Sequence, residues 1–427
     1  MGDVLDVVVI GAGWAGLSIS HGLCAAGVSH VVLERGRIGE TWRSQRWDSF
    51  HFNIPRVLTV MPGDRYDGSD PEGAMTRDEF VAMLEDYAAR HSLPVRVGEP
   101  VIEVTPDTKE GYFVGTPGRK LSARNVVVAS GSLNRAKRPP VARQVSPLFD
   151  QIDASDYRSA TALAPGVVLV VGSGQSGGQI AKDLADAGRR VFLATSRLGR
   201  IPRRYRGRDL ALWLVESGLL EARREEFVLP SGAFPARPLQ GAIETLSLQS
   251  LSALGVVLLG RLSGAAGTVL SFSSDVVENI RFADEASAVL RRKVDDYIAR
   301  AGIEAPAATD DPAEVVPAKI PSPEITSLDL TASGIGTIIW CTGFEGDFSW
   351  LKVAGTVDPD QQPYHVDGIC TAAGLYFPGL DFASTRKSGT ILAAAEESRT
   401  IVAHILGRIE RGSVTGQREA AAGPSRR

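Results

Sequence analysis

The sequence of 427 residues contains the pattern G-x-G-x-x-G twice, and this repeat constrains the fold more than any other feature. The glycines of the two copies are Gly11, Gly13 and Gly16, and Gly172, Gly174 and Gly177. In such a loop the first glycine permits a tight turn and the second lets backbone N–H groups approach a pyrophosphate. The third lets a helix pack closely on a strand. The chain is therefore predicted to bind two nucleotides.

The residues around both copies complete a strand, a loop, a helix and a second strand in the expected order. Residues 6–10, before the first copy, are a continuous apolar run typical of a buried parallel strand. The other predicted elements are helices at 17–26 and 178–187, and strands at 31–33, 167–171 and 190–194. Together they predict an α/β fold with two Rossmann-like dinucleotide-binding domains. A glycine-rich turn in another kind of α/β unit is the alternative.

The two units differ where the second strand ends. In the first unit, Glu34 is placed to accept a hydrogen bond from a ribose 2′-OH. In the second unit, Ser196 and Arg197 stand at the corresponding place, where they would bind a 2′-phosphate that a carboxylate would repel. The first unit is thus predicted to take a nucleotide with a free ribose diol, and the second to take NADPH.

Composition and charge exclude several other classes of protein. The net charge of −4 is too mild to indicate nucleic acid as a partner. Cys24, Cys341 and Cys370 form no C-x-x-C, which excludes a disulfide framework, a zinc ribbon and a dithiol redox centre. The N-terminus does not resemble a signal peptide, and no apolar run approaches the about 18–20 residues of a membrane span. We therefore expect a cytoplasmic protein without membrane contact and without a metal site.

Four segments carry a resemblance to a known family: residues 11–16, 39–43, 172–177 and 341–344. On them the sequence resembles the flavin-containing monooxygenase-like (class B) flavoproteins, which include Baeyer–Villiger, N-hydroxylating and plant auxin-forming enzymes. The resemblance implies FAD in the first unit, NADPH in the second, and a FAD domain that the NADPH domain splits. It also implies that O2 is activated as a C4a-peroxyflavin, which oxygenates a small organic substrate.

The resemblance assigns FAD contacts along most of the chain. Thr41 and Arg43 would lie near the phosphate–ribityl stretch, Trp42 and Trp47 along the flavin, and Asn53 near its reactive edge as the catalytic candidate. An ordinary place in the core is the alternative for Trp47. The full predicted FAD set is Gly11, Gly13, Trp14, Ala15, Gly16, Glu34, Arg35, Thr41, Trp42, Arg43, Trp47, Val101, Ser130, Gly131, Gly343, Asp381 and Thr390.

Near the C-terminus the resemblance implies a loop that passes the flavin ring, followed by a helix over 390–405. Ser388, Gly389 and Thr390 would form the capping turn, and the N-terminus of the helix would face the pyrimidine edge of the flavin. The partial positive charge of a helix N-terminus stabilises negative charge on a reduced flavin. Strands at 126–131 and 338–344 would deliver small residues beside the flavin.

The predicted NADPH contacts begin at the second glycine loop and continue into a cluster of six arginines. They are Gly172, Ser173, Gly174, Gln175, Ser176, Gly177, Ser196, Arg197, Arg203 and Arg204. The resemblance implies that Gln175 and Ser176 lie close to the nicotinamide. A guanidinium binds phosphate as a fork, so two or three of the arginines would clamp the 2′-phosphate. Arg197 is favoured, followed by Arg203 or Arg204, and the rest would form a solvated face or pair with nearby acids.

One signature of the family is incomplete. Baeyer–Villiger and related members carry F-x-G-x-x-x-H-x-x-x-W/Y just before the second loop, and the corresponding stretch here begins at Phe149. Its glycine is missing, and Asp153 occupies the place of the histidine. N- or S-oxygenation is therefore favoured. A Baeyer–Villiger reaction, an auxin-type decarboxylating reaction and an NADPH-dependent oxidoreductase that inserts no oxygen stay open.

The order of the motifs predicts a split FAD domain with an inserted NADPH domain. The predicted parts are FAD residues 1–147, NADPH residues 148–325 with a helical insert at about 208–301, FAD residues 326–412, and a disordered tail at 413–427. The expected partners are a small-molecule substrate and O2, and a homo-oligomer is left open.

Overall fold

The computed structural model describes residues 4–107 and 111–421 of the chain, with side chains up to residue 411. Two large β-sheets organise the described residues, and each contains one of the two glycine loops. In both sheets the central strands are short apolar runs that are buried on both faces, as helix-covered parallel strands require.

The first sheet contains strand Leu5–Ile10, which leads into the first glycine loop. Along its main path the strands are His365–Val366, Ile369–Cys370, Leu375–Tyr376, Arg119–Val128, Leu5–Ile10, His30–Leu33 and Val95–Arg96. An antiparallel extension adds Gly111–Thr116 and Glu103–Asp107. Leu5–Ile10 is parallel to both neighbours, so Val8 lies opposite Val31 on one side and Val126 on the other. The sheet joins strands from both ends of the chain.

The second sheet is parallel and contains the second glycine loop. Its strands, in spatial order, are Asp150–Asp153, Ile335–Trp340, Val167–Val171, Val191–Ala194 and Val257–Leu259. Ile335–Trp340 lies inside this sheet although it follows residue 325, where the predicted boundary of the inserted domain falls. The domain boundaries themselves stay predictions.

Helices and short ladders cover the sheets. The helices are Trp14–Ala25, Glu40–Ser44, Arg77–Arg90, Gln175–Asp186, Leu210–Glu216, Leu248–Ala253, Val276–Ala301, Pro312–Val315 and Ala394–Ala421. The 3-10 turns are Arg56–Leu58, Pro140–Gln144, Ala160–Ala162, Arg224–Glu226 and Ile391–Ala393. The short ladders are His51–Pro55 with Ala74–Thr76, Arg200–Ile201 with Leu239–Gln240, Arg204–Tyr205 with Arg208–Asp209, Leu262–Ala266 with Val269–Phe272 and Ser327–Asp329, and Arg135–Ala136 with Phe344–Glu345.

The helices after the glycine loops begin earlier than the apolar pattern predicts. They start at Trp14 and Gln175, because the extended backbones of Gly13 and Gly174 serve as the N-caps. Each helix therefore begins inside its glycine pattern. The backbone N–H groups of the first turn consequently lie within the loop.

The predicted helical insert is helical only in part. Helix Leu210–Glu216 ends just before Gly218, whose φ of +71° places it in the left-handed region that ends helices. Irregular chain and a short ladder fill most of the stretch up to Leu248–Ala253. The last part of the predicted insert is the long helix Val276–Ala301.

The last helix begins at Ala394, after a 3-10 turn, rather than at Thr390. It continues through residues 413–421 of the predicted disordered tail, and residues 422–427 lie outside the described residues. This helix packs on the first one, since a Cβ added to Gly22 would lie 3.0 Å from Val402 Cγ2. Among the described residues, no helix is both long and apolar enough to cross a membrane.

Candidate functional site

The first glycine loop, residues 11–16, requires glycine at two positions for steric reasons. Gly11 has a φ of +105°, and a Cβ there would lie 2.6 Å from the carbonyl oxygen of Ala129. A Cβ on Gly16 would lie 1.9 Å from the carbonyl oxygen of Gly11. The loop therefore presses the first helix against the sheet at the carboxyl end of a central strand, where nucleotides bind in such folds.

The middle of the first glycine loop is open. A Cβ on Gly13 would meet no heavy atom within 4 Å, and no side chain caps the helix that starts there. Uncapped N–H groups and the positive end of the helix dipole favour an anion at this place. Nearby, the buried hydroxyl oxygen of Ser130 has no hydrogen-bond partner among the described residues. A buried polar atom usually has a partner, so this cradle fits the phosphates and ribose of a dinucleotide.

Glu34 lies at the place predicted for the ribose acid, and it also holds the first glycine loop. Its buried carboxylate accepts hydrogen bonds from the backbone N–H of Ala12 at 2.7 Å and of Gly36 at 2.9 Å. Each carboxylate oxygen has a second lone pair, so these bonds are compatible with the predicted contact to a ribose hydroxyl.

The second glycine loop, residues 172–177, repeats the geometry of the first. Gly172 has a φ of +104°, and a Cβ there would lie 2.4 Å from the carbonyl oxygen of Cys341. A Cβ on Gly177 would lie 1.8 Å from the carbonyl oxygen of Gly172. Gly174 caps the following helix without a side-chain bond, and the nearest atom to a Cβ there would be 3.8 Å away. This loop also offers an open helix N-terminus to an anion.

The end of the second strand is built differently in the second unit. The backbone N–H of Ser196 donates to the hydroxyl of buried Ser173 at 3.1 Å. Arg197 follows and is exposed, and its guanidinium lies 4.6 Å from the ring centroid of Phe282. Within the described part of the chain, no carboxylate forms an ion pair with Arg197. Its charge is thus available for the predicted 2′-phosphate.

The other two arginines predicted for the 2′-phosphate are used in ion pairs. Arg203 is buried and lies 2.6 Å from Asp209, while exposed Arg204 lies 2.6 Å from Glu72. Burial raises the pKa of the Asp209 carboxyl, and the charge of Arg203 opposes that shift. The remaining arginines of the cluster pair as Arg200 with Asp284 and Glu314, Arg206 with Asp295, and Arg208 with Glu216. Of the six arginines in the cluster, only Arg197 is exposed and has no carboxylate partner among the described residues.

Asn53, the catalytic candidate, joins the two nucleotide units. Its Oδ1 accepts from Gln179 Nε2 at 2.9 Å, and its carbonyl oxygen accepts from Arg203 Nη1 at 2.8 Å. Gln179 lies on the helix after the second glycine loop and also donates to the carbonyl of Gln240 at 2.8 Å. Gln179 and Gln240 were not predicted, because isolated glutamines belong to no recognisable sequence motif.

The aromatic residues predicted along the flavin lie in two different cores. Trp42, on helix Glu40–Ser44, packs on Phe52 with ring centroids 4.7 Å apart in the first core. Trp47 is buried in the second core, 6.4 Å from the ring of Tyr157. Trp47 is therefore a core residue, and its contact with a flavin stays a prediction.

Two further predicted FAD residues share the short helix Glu40–Ser44. They are Thr41 and Arg43, and the guanidinium of Arg43 lies 2.5 Å from Glu85 and donates to the carbonyl of Ile38. The helix begins beside the first glycine loop, because the N–H of Gly39 donates to the carbonyl of Ala12 at 3.1 Å.

The C-terminal loop, residues 378–389, lies against the first glycine loop. A Cβ on Gly379 would lie 2.9 Å from Ala15 Cβ and 3.4 Å from the ring of Trp14. The N–H of Gly379 donates to Glu397 of the last helix at 2.9 Å. The two ends of the chain thus meet at the predicted FAD site.

Asp381 and Thr390 lie on the far part of the same segment. Asp381 accepts from Arg237 at 2.9 Å, and Arg237 also donates to the carbonyl of Ser388 at 3.4 Å. The carbonyl of Arg237 would lie 3.9 Å from a Cβ on Gly174, so this residue connects the second glycine loop to the C-terminal loop. Thr390 caps the 3-10 turn that precedes the last helix. Arg237 was missed because it belongs to an irregular stretch without a motif.

The remaining predicted FAD residues are Arg35, Val101, Gly131 and Gly343. Gly131 and Gly343 have φ values of +80° and +98°, and a Cβ on either would meet nothing within 4 Å. Arg35 is exposed directly after Glu34, and Val101 packs on a core cluster beneath the first sheet. The two glycines thus present backbone to open space, as a cofactor contact requires.

The cysteines do not form a redox centre. Cys24, Cys341 and Cys370 are free thiols. Burial raises the pKa of the Cys341 thiol, which lies beside the second glycine loop, so it stays protonated at neutral pH. The Cys341 thiol is therefore not available as a thiolate beside this loop.

Comparison with known proteins places the chain among oxidoreductases. Residues 8–212 match the family described as pyridine nucleotide-disulphide oxidoreductase. An uncharacterized CzcO-like oxidoreductase of Geobacillus kaustophilus (strain HTA426) is 27% identical over 408 residues, which cover 95% of this chain and 99% of that protein. The indole-3-pyruvate monooxygenase YUCCA1 of Oryza sativa subsp. japonica is 32% identical over 188 residues, which cover 43% of this chain and 46% of that protein.

The fold is also found in a solved structure. The flavin-containing monooxygenase from Stenotrophomonas maltophilia has a TM-score of 0.66 at 19% identity, over 96% of this chain and 100% of that one. The predicted α/β fold with Rossmann-like domains is confirmed by this match and by the two sheets described above.

Proposed function

We propose that the chain, which is similar to oxidoreductases over most of its length and to an indole-3-pyruvate monooxygenase over part of it, is an FAD- and NADPH-dependent monooxygenase. Its substrate is a small organic molecule, and N- or S-oxygenation is favoured. The observation that carries the proposal is the presence of two open glycine loops with opposite chemistry at the second strand, Glu34 in one and Arg197 in the other.

FAD would be held by the first glycine loop and the segments that contact it. The open backbone at Gly13 would receive the pyrophosphate, Glu34 the ribose, and the unpartnered hydroxyl of Ser130 a polar group of the cofactor. The C-terminal loop would close over it at Gly379. When bound, FAD supplies the redox chemistry with O2, and the protein supplies orientation and exclusion of water.

NADPH would be held by the second glycine loop, with Arg197 on its 2′-phosphate. An exposed guanidinium stacked on Phe282 keeps a fixed orientation and offers the fork that phosphate prefers. Gln175 and Ser176 begin the helix at this loop and would lie close to the nicotinamide.

Asn53 would set the distance between the two cofactors. Its side chain accepts a hydrogen bond from Gln179, on the helix after the second glycine loop, and its carbonyl accepts one from Arg203, so these contacts link its strand to the second unit. A hydride passes only between rings in contact, so a fixed geometry at this junction favours the transfer.

The proposal is tested by measuring the two possible products of O2, the oxygenated substrate and peroxide. The purified FAD-loaded chain is mixed with NADPH and candidate amines and sulfides under ¹⁸O2. We expect one labelled oxygen atom in the product for each NADPH oxidised, with little peroxide. Peroxide release matching NADPH oxidation with every substrate, and no labelled product, would overturn the monooxygenase assignment. A protein that binds no FAD would overturn the proposed cofactor.

The second candidate is an NADPH-dependent flavin oxidoreductase that inserts no oxygen. The match of residues 8–212 to the pyridine nucleotide-disulphide oxidoreductase family supports it. The electrons would have to leave for an external acceptor, since the cysteines are separate and Cys341 is protonated. Anaerobic NADPH oxidation that depends on an added acceptor would favour this candidate.

The Baeyer–Villiger and auxin-type reactions remain alternatives of lower rank. At the place of the family histidine, Asp153 is paired with Arg138 at 2.6 Å on the strand Asp150–Asp153. A carboxylate in such a pair does not reproduce the hydrogen-bond donor that a histidine offers. Ketones and 2-oxo acids in the same ¹⁸O2 assay test both reactions.

A further inference from the structure

Arg46 lies where segments from the two glycine loops meet. It follows the helix Glu40–Ser44, which begins at Gly39 with a hydrogen bond to Ala12 of the first loop. On the other side, the guanidinium of Arg46 lies 5.9 Å from the ring of Phe344. That phenylalanine comes three residues after Cys341, whose carbonyl adjoins the second loop. A reaction that uses both cofactors would take place at this junction.

The surroundings of Arg46 are aromatic rather than acidic. Its guanidinium lies 4.9 Å from the ring centroid of Trp42 and 5.8 Å from that of Phe50, and it donates to the carbonyl of Gln45 at 2.8 Å. Burial lowers the pKa of Arg46 to about 10, so the group stays charged at neutral pH. No carboxylate in the described ranges lies within ion-pair distance of it.

The fully buried arginines are paired with acids, since Arg200 lies 2.9 Å from Glu314 and Arg203 lies 2.6 Å from Asp209. Half-buried Arg158 and Arg189 have no carboxylate partner, but each donates to three backbone carbonyls. Half-buried Arg46 donates to one carbonyl, and cation–π contacts compensate only part of the cost of removing a charge from water. Its guanidinium is therefore available to an anionic ligand.

The neighbouring side chain adds a second unmatched polar group. The Oε1 atom of Gln45 is buried and has no hydrogen-bond partner among the described residues. Two consecutive residues thus carry polar groups that the described residues do not fully match. Aromatic side chains around a few such polar groups are typical of a small-molecule site.

We propose that Arg46 binds the carboxylate of the substrate, so that the substrate is a small organic acid with an apolar body. The inference rests on the proposed function, which places the reaction between the two glycine loops. A guanidinium fork matches a planar carboxylate with two parallel hydrogen bonds, and Trp42, Phe50 and Phe344 would contact the apolar part. A bound flavin, once reduced, would offer a second negative group at its pyrimidine edge. The helix turn at Thr390 is already predicted to face it, which leaves Arg46 for the substrate.

The experiment compares acids with their neutral amides. The FAD-loaded full chain, without NADPH, is titrated with phenylacetate and phenylacetamide, and with hexanoate and hexanamide, and binding is measured by calorimetry and by the flavin absorbance. Each pair has one shape and differs in charge. The variants are R46M, R46K and, as a matched control, R143M at an exposed arginine outside the site.

We expect at least one acid to bind the wild-type protein about ten to a hundred times more tightly than its amide, as a charge-assisted pair allows. R46M should remove this preference, R46K should restore part of it, and R143M should keep it. The absence of a preference in every pair would overturn the inference. It would also be overturned if R46M kept the preference but weakened FAD binding or shifted the flavin potential, because Arg46 would then serve the flavin.

Failure of the proposed function would look different. Peroxide release without labelled product removes the monooxygenase assignment and leaves a preference for acids in place. Labelled product from neutral substrates, together with equal binding of acids and amides, removes the inference alone. The variants are compared only after their FAD content and melting temperatures have been matched to the wild type.

Discussion

The two glycine loops share one backbone geometry, but different groups connect each loop to the end of its second strand. In the first unit a buried carboxylate, Glu34, accepts from backbone N–H groups on the loop and beyond the strand. In the second unit the hydroxyl of Ser173 accepts from Ser196, and the charge at the strand end is the exposed guanidinium of Arg197. The glycines are the same in both loops, so we expect the strand ends to decide which nucleotide each site takes.

The units also differ in how they are anchored. The first is closed by contacts between the two ends of the chain, at Gly379 and Ala15. The second is tied to the first through Arg203, whose charge is satisfied inside the protein. Arginines that look equivalent in sequence therefore differ in whether an acid of the protein already pairs with them.

The largest expected effect concerns Arg203, which connects the second unit to the first. Replacing Arg203 by Leu leaves the Asp209 carboxylate buried and unpaired, and should lower the free energy of unfolding by about 3–5 kcal/mol. Replacing Arg204 by Ala removes an exposed pair with Glu72 and should cost about 0–1 kcal/mol. Urea denaturation checks both. Equal small effects would mean that Arg203 is not the anchor.

Acid should destabilise the first unit selectively. Burial lowers the pKa of His365 to about 4, helped by Arg224 and opposed by Asp367. The unfolded chain binds a proton below about pH 6.5 while the folded chain does not, so stability falls between pH 6.5 and 4, by at most about 3 kcal/mol.

The second unit offers a natural contrast, since the sequence has no histidine between residues 92 and 364. Replacing His365 by Asn keeps an acceptor for the N–H of Gly368 and should flatten this part of the pH profile. Unfolding curves at pH 7, 5.5 and 4.5 provide the measurement. An unchanged pH dependence in the variant would contradict the assignment to His365.

Pairs of glycine variants separate packing from cofactor binding in each loop. Gly16→Ala and Gly177→Ala place a Cβ against a carbonyl oxygen and should destabilise the unliganded protein by about 1–3 kcal/mol or more. Gly13→Ala and Gly174→Ala add a Cβ where space is open, so melting of the unliganded protein should change little. They should instead weaken FAD and NADPH binding, respectively. Loss of stability in all four would contradict an open cradle.

Arg197→Ala tests the choice of nucleotide in the second unit. Loss of one charge-assisted contact should raise KM for NADPH about ten- to a hundredfold and leave KM for NADH nearly unchanged. Arg204→Ala is the control, because its guanidinium is engaged by Glu72. Equal changes for both nucleotides would remove the assignment of Arg197 to the 2′-phosphate.

Glu34→Gln tests nucleotide binding in the first unit, as Arg197→Ala does in the second. It should give the smallest effect of the variants. It keeps one acceptor oxygen but removes the charge that holds Ala12, so FAD dissociation should increase about tenfold while KM for NADPH is unchanged. FAD release during dilution, followed by fluorescence, measures it. A change in KM for NADPH would show that the two units are not independent at this point.

Sequence reasoning worked best where a local pattern has one physical explanation. The strand predicted at 167–171 coincides with Val167–Val171. Helix starts were less accurate, because an N-cap glycine at Gly13 or Gly174 depends on backbone angles rather than on apolar spacing.

Side-chain roles were harder to predict when partners are distant in the chain. Arg203 and Arg204 sit in the same cluster as Arg197, and only tertiary contacts with Asp209 and Glu72 distinguish them. Glutamines such as Gln179 have no periodic signal, so their part in holding Asn53 could not be read from the sequence.

The sequence by itself determined that two dinucleotide sites exist and that their second strands end in opposite charges. It could do so because a tight turn beside a phosphate admits only glycine, and that requirement is local. The tertiary structure decided which charges remain unpaired. Pairing depends on what the fold brings within about 4 Å of a guanidinium. On that basis Arg203 is held in an ion pair, whereas Arg197 and Arg46 have no carboxylate partner among the described residues and are proposed to bind ligands.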